Sequence, residues 1–92
     1  MGKKTLYRIY IKGRVQGVGY RWSAANEAIS RDITGFVRNL SDGSVYIEAE
    51  GTREQLDSFL DWCRRGPPLS NVRSVKFETG NPEGYDDFRI EH

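Results

Sequence analysis

Leu6-Tyr7-Arg8-Ile9-Tyr10-Ile11-Lys12-Gly13-Arg14-Val15-Gln16-Gly17-Val18-Gly19-Tyr20-Arg21 is the stretch that decides how the rest of the chain is read. Its first half alternates in character. Tyr7, Ile9 and Ile11 fall on one side of an extended chain, and Leu6, Arg8, Tyr10 and Lys12 on the other. That is the period of a half-buried strand, and Gly13 ends it. Gly13, Gly17 and Gly19 then leave the backbone free to turn tightly and aim its N–H groups inward. Beyond them Trp22, Ala25, Ala28 and Ile29 recur at helical spacing through about Arg31. A strand therefore runs through a glycine loop into a helix.

Working outward, Asp32-Ile33-Thr34-Gly35 closes the helix, and Phe36-Val37-Arg38-Asn39-Leu40 reads as a second strand. Asp42-Gly43 between two apolar runs signals a hairpin. In Val45-Tyr46-Ile47-Glu48-Ala49-Glu50 the residues Val45, Ile47 and Ala49 are expected on the core face, with Tyr46, Glu48 and Glu50 outward. Gly51 is expected to break this strand, Thr52 to cap a second helix, and Gln55 to complete a capping box. Leu56, Phe59, Leu60 and Cys63 make its apolar stripe, and Gly66-Pro67-Pro68 stops it. Val72 to Thr79 and Phe88-Arg89-Ile90 read as a fourth strand and a short fifth. The order β-α-β-β-α-β, with that fifth strand, predicts a single α+β domain over 1–92. Its economical form is a ferredoxin-like split β-α-β sandwich, two helices on one face of a mainly antiparallel sheet.

Composition narrows the chemistry. The formal net charge is +1, against the marked basic excess of most nucleic-acid binders. Cys63 is the sole cysteine and His92 the sole histidine. An internal disulfide and a cysteine-rich zinc site are ruled out, and histidine-based acid/base or metal chemistry has little to work with. Met1-Gly2-Lys3-Lys4-Thr5-Leu6 offers neither the apolar core of a signal peptide nor the Ser or Thr of an acylation motif. No run has the apolar length of a membrane span. The expectation is a cytoplasmic, monomeric protein without cofactor or metal, and without nucleic-acid or membrane partners.

Three features carry candidate chemistry. The glycine loop lacks both a Walker loop's Gly-Lys-Ser/Thr and the Gly-x-Gly-x-x-Gly spacing of dinucleotide sites. It is either a plain turn or a cradle of N–H donors for a dianion such as phosphate. Arg21 stands in the first turn of the helix, where the dipole disfavours a cation, so a bound anion would neutralise both. Arg14 and Arg38 lack that argument and read as solvated or structural. Asn39, of a type disfavoured in strands, either prepares the turn or offers an amide to a water and an oxyanion. Cys63 reads as core, the tryptophans and tyrosines as packing, and Glu48, Glu50, Asp61, Asp86 and Asp87 as a solvated face.

Gly13 to Arg21, followed by Gly35-Phe36-Val37-Arg38-Asn39, resembles the two signature segments of the acylphosphatases. The likeness continues through Asp42-Gly43-Ser44-Val45, Ala49-Glu50-Gly51, Gly66-Pro67-Pro68 and Phe88-Arg89-Ile90, with Tyr20 and Phe36 where other aromatics are common. The resemblance implies hydrolysis of acyl phosphates to carboxylate and inorganic phosphate on a ferredoxin-like fold. It implies phosphate binding by the loop Val15, Gln16, Gly17, Val18, Gly19 and Tyr20, with Arg21 on the phosphoryl oxygens and Asn39 orienting the attacking water. A site that holds the phosphoryl group and little else is expected to be indifferent to the acyl part. The alternatives on this fold are an RNA-binding module, a small-ligand regulatory module and a carbamoyl-phosphate-handling relative. The first lacks the basic-Gly-aromatic signature of RNA-recognition strands.

Overall fold

A computed structural model describes residues 3–92; the reading of Met1 and Gly2 lies outside them. The element order is β1 (Lys4–Arg14), α1 (Tyr20–Ser30), β2 (Thr34–Asn39), β3 (Val45–Thr52), α2 (Arg53–Arg65), β4 (Asn71–Gly80) and β5 (Phe88–Glu91). The five strands form one sheet in the order β4-β1-β3-β2-β5. All pairings are antiparallel except β2 with β5. Two helices on a mixed five-strand sheet are the ferredoxin-like α+β arrangement that the element order predicts.

The register explains the core. Phe77, Ile9, Ile47, Val37 and Ile90 lie side by side across all five strands. Ile9, Ile47 and Val37, on the three inner strands, are fully buried. Leu56, Phe59, Leu60 and Cys63 bring the stripe of α2 onto this face. Thr52 and Gln55 close the capping box: Gln55 N–H donates to Thr52 Oγ1 at 3.2 Å, and Thr52 N–H to Gln55 Oε1 at 2.9 Å.

Several details differ from the sequence reading. In α1 the buried residues are Tyr20, Ala24, Ala25 and Ala28, while Trp22 and Ile29 are exposed. Small side chains let this helix approach the sheet closely, so its packing face carries little apolar signal. Neither Gly13 nor Gly51 ends its strand: β1 continues to Arg14 and β3 to Thr52. Leu6, on the face of β1 opposite Tyr7, Ile9 and Ile11, is fully buried. Tyr46 is buried despite pointing away from the helices, because Tyr10 and Phe36 pack on it at 5.0 and 5.9 Å between ring centroids. Glu50 is buried too: its carboxylate accepts from the N–H groups of Glu83, Gly84 and Tyr85, strapping the β4–β5 loop to the sheet.

Candidate active site

The loop between β1 and α1 is shaped by what it lacks. Gly17 and Gly19 have φ of 75° and 78°, the left-handed region that side chains disfavour, and a Cβ on either would meet nothing within 4 Å. These glycines are therefore needed for backbone shape and leave the space above them open. Gly19 caps α1 with no side-chain hydrogen bond, and the first turn carries no acidic residue. The leading N–H groups of α1 and the positive end of its dipole are left for a ligand.

The loop is held from below and behind. Val15 is buried, and Val18 packs against the core. Gln16 Nε2 donates to the carbonyl oxygens of Leu40 and Ser44, both at 2.8 Å, tying the loop to the β2–β3 turn. Tyr20 Oη donates to the Cys63 carbonyl at 2.8 Å, fixing the start of α1 against the end of α2. Burial raises the Tyr20 phenol far above its ordinary range, and it stays a neutral donor.

Arg21 follows on the second residue of α1. Its Nη1 donates to the Glu91 carbonyl at 2.9 Å and lies 3.4 Å from His92 Nδ1. The end of β5 thus steadies the guanidinium, whose Nε and Nη2 have no protein partner among the described residues. Asn39 is the last residue of β2. Its Oδ1 is buried and accepts no hydrogen bond from any described residue. Leaving such an acceptor unpaired costs about 1–3 kcal/mol, so a donor from water or ligand is its natural complement.

Val15, Gly17, Gly19, Tyr20, Arg21 and Asn39 all line one cleft of about 290 Å3, together with Trp22, Ile90 and His92. Gln16 and Val18 are not on its wall, since their side chains serve the turn and the core. Arg14 is exposed outside it, and Arg38 stacks over Phe36 and Tyr46 at 5.7 and 5.5 Å on the other face of the sheet. A larger cleft of about 570 Å3, lined by residues such as Lys4, Tyr7, Arg53 and Asn81, contains none of these groups. The chemistry converges on the smaller one.

The sequence reading missed three contributors: the Glu91 carbonyl, Trp22 and His92. A backbone carbonyl leaves no trace in residue type. Trp22 was readable only as a helix residue until its exposure was known.

Comparison with known proteins gives this constellation a family. The acylphosphatase family model matches residues 7–90. An acylphosphatase of Natronomonas pharaonis is 44% identical over 90 residues, covering 98% of each chain. The crystal structure of an acylphosphatase from Bacillus subtilis superposes with a TM-score of 0.94 at 39% identity, covering 96% of this chain and 99% of that one. Full-length HypF, solved in a phosphate- and nucleotide-bound form, gives a TM-score of 0.89 at 27% identity; all of this chain matches 12% of that one. The chain belongs to the acylphosphatase family, hydrolases of acyl phosphates.

Proposed function

We propose that the cleft performs the family's hydrolysis with the phosphoryl group seated on the N–H groups of residues Val15 to Tyr20. Arg21 grips the phosphoryl oxygens through its free guanidinium edge, and Asn39 holds the attacking water. The observation that carries this reading is the buried, unpartnered Oδ1 of Asn39 in the same cleft as Arg21 and the loop. An acceptor placed there takes a hydrogen bond from a water and turns its lone pair toward the phosphorus.

The steps balance without help from an added base. The water oxygen bonds to phosphorus while the bond from phosphorus to the acyl oxygen breaks, and the carboxylate leaves with the electron pair. The water's proton passes to a phosphoryl oxygen, giving inorganic phosphate. A carboxylate is a good leaving group, so the protein supplies mainly position and charge stabilisation, as phosphoryl transfer requires. Preformed N–H donors and a guanidinium already fixed at one end provide both. No step uses a metal ion or cofactor, and inorganic phosphate competes for the same seat. The substrate is a small acyl phosphate and the working form a monomer. A cytoplasmic location fits the single, buried cysteine; no helix among the described residues is long and apolar enough to cross a membrane.

Phosphate release from acetyl phosphate, with and without chelator, tests the reading. Asn39→Ala is expected to lower kcat by ~10²–10³ while still binding inorganic phosphate. Arg21→Ala loses both turnover and phosphate inhibition. An Asn39→Ala enzyme with near-normal kcat removes the water-orienting role, and chelator-sensitive turnover removes the metal-free mechanism. Elution at dimer size in gel filtration would overturn the monomer.

A further inference from the structure

Trp22 is the one cleft residue with no task in the fold or in holding phosphate. Its side chain is 68% exposed, on the third residue of α1, beside Arg21 and off the Tyr20, Ala24, Ala28 face that meets the core. Single exposed apolar side chains are ordinary on protein surfaces. Among the described residues the other large ones are Ile29, Leu69 and Phe77, and none of these lines the cleft. Trp22 does, with Arg21, Asn39 and the half-buried Ile90.

The space is also larger than phosphate chemistry needs. At about 290 Å3 the cleft is close to the lower end of small-molecule pockets, roughly 300–1,000 Å3. A phosphoryl group and one attacking water fill only part of it. The loop, Arg21 and Asn39 are spent on those two, and Trp22, Ile90 and His92 are the rest of the lining. In-line displacement places the leaving acyl group opposite the attacking water, so an acyl group must leave the phosphate seat through the rest of the cleft.

We propose that the Trp22 indole is a specificity-determining platform for the acyl group, favouring acyl phosphates with a flat aromatic or extended apolar acyl chain over acetyl phosphate. This rests on the phosphate seat assigned above and replaces indifference toward the acyl part with a graded preference. An aromatic acyl group stacks offset on the indole and buries apolar area against it. The contact exists in the ground state and the transition state alike, so it acts mainly on KM.

The test compares kcat and KM for benzoyl phosphate and acetyl phosphate in the wild type, Trp22→Ala, Trp22→Phe and Ile29→Ala. In Trp22→Ala the benzoyl-to-acetyl ratio of kcat/KM is expected to fall by about threefold to tenfold, carried by KM, on the scale of one aromatic contact. Trp22→Phe keeps most of the ratio, and Ile29→Ala, exposed on the same helix outside the cleft, keeps all of it. An unchanged ratio in Trp22→Ala overturns the proposal, and so does an equal loss on both substrates. Failure of the phosphate seat itself shows separately, as Arg21→Ala with undiminished inhibition by inorganic phosphate.

Discussion

Gln16 carries the geometry of the glycine loop without standing on the cleft wall. Its two amide hydrogens go to the Leu40 and Ser44 carbonyls, one on each side of the β2–β3 turn. Those carbonyls also accept from Gly43 and Leu40, so losing Gln16 leaves neither of them unpaired. The expected stability cost of Gln16→Ala is accordingly small, about 1 kcal/mol. The effect on catalysis is larger, because a loop of left-handed glycines has little else to hold its N–H groups in register. We expect kcat/KM to fall by roughly tenfold to a hundredfold, while urea unfolding moves only slightly. Near-wild-type turnover would show that the core contacts of Val15 and Val18 suffice.

Among the elements, β2 meets β3 with no room for a side chain at Gly35. Gly35 has φ of 140°, and a Cβ there would overlap the Glu48 carbonyl of β3. Gly35→Ala must therefore push β2 from β3 and carry Asn39, four residues on, with it. The expected loss is about 2–4 kcal/mol of stability by chemical denaturation, with reduced turnover in the molecules that still fold. Much at this scale was legible in the sequence. The buried Tyr7, Ile9 and Ile11 of β1, the Thr52–Gln55 cap and the stripe of α2 are local patterns, and each stands where it was expected. What could not be read depended on distant partners. Glu50 looks like a solvated carboxylate until the loop at Glu83 to Tyr85 lies over it. The inner face of α1 is drawn by alanines and Tyr20 rather than by its large aliphatic residues. In the candidate site, Arg21 and Asn39 were visible as residues out of place for their elements. The Glu91 carbonyl that steadies Arg21 was not visible, being backbone.

For the molecule as a whole, buried acids set the alkaline limit, Tyr7 and Tyr46 among them as well as Cys63 and Tyr20. Burial pushes the Cys63 thiol up to about 12 from its ordinary 9.0 and raises the Tyr20 phenol well above its ordinary 10.0. In both cases the folded protein keeps a proton that the unfolded chain gives up. Their contribution is complete below about pH 9 and is lost as pH rises toward the folded values. The expected slope is about 1.4 kcal/mol per pH unit for each group once its unfolded form ionises. Urea midpoints measured between pH 8 and 11 should be flat at first and then fall. Cys63→Ala should delay the fall to about pH 10, where the buried tyrosines begin to titrate in the unfolded chain, and a midpoint flat to pH 11 would contradict the assignment. The hydrogen bond from Arg21 to the Glu91 carbonyl spans 70 residues, and it forms only once β5 has docked on β2 by their parallel pairing. Long-range pairings of this kind close slowly. In a refolding experiment, helical ellipticity should return before turnover does. With Arg21 in the role proposed for it, enzymatic competence then waits on the docking of β5 and times the last step of assembly.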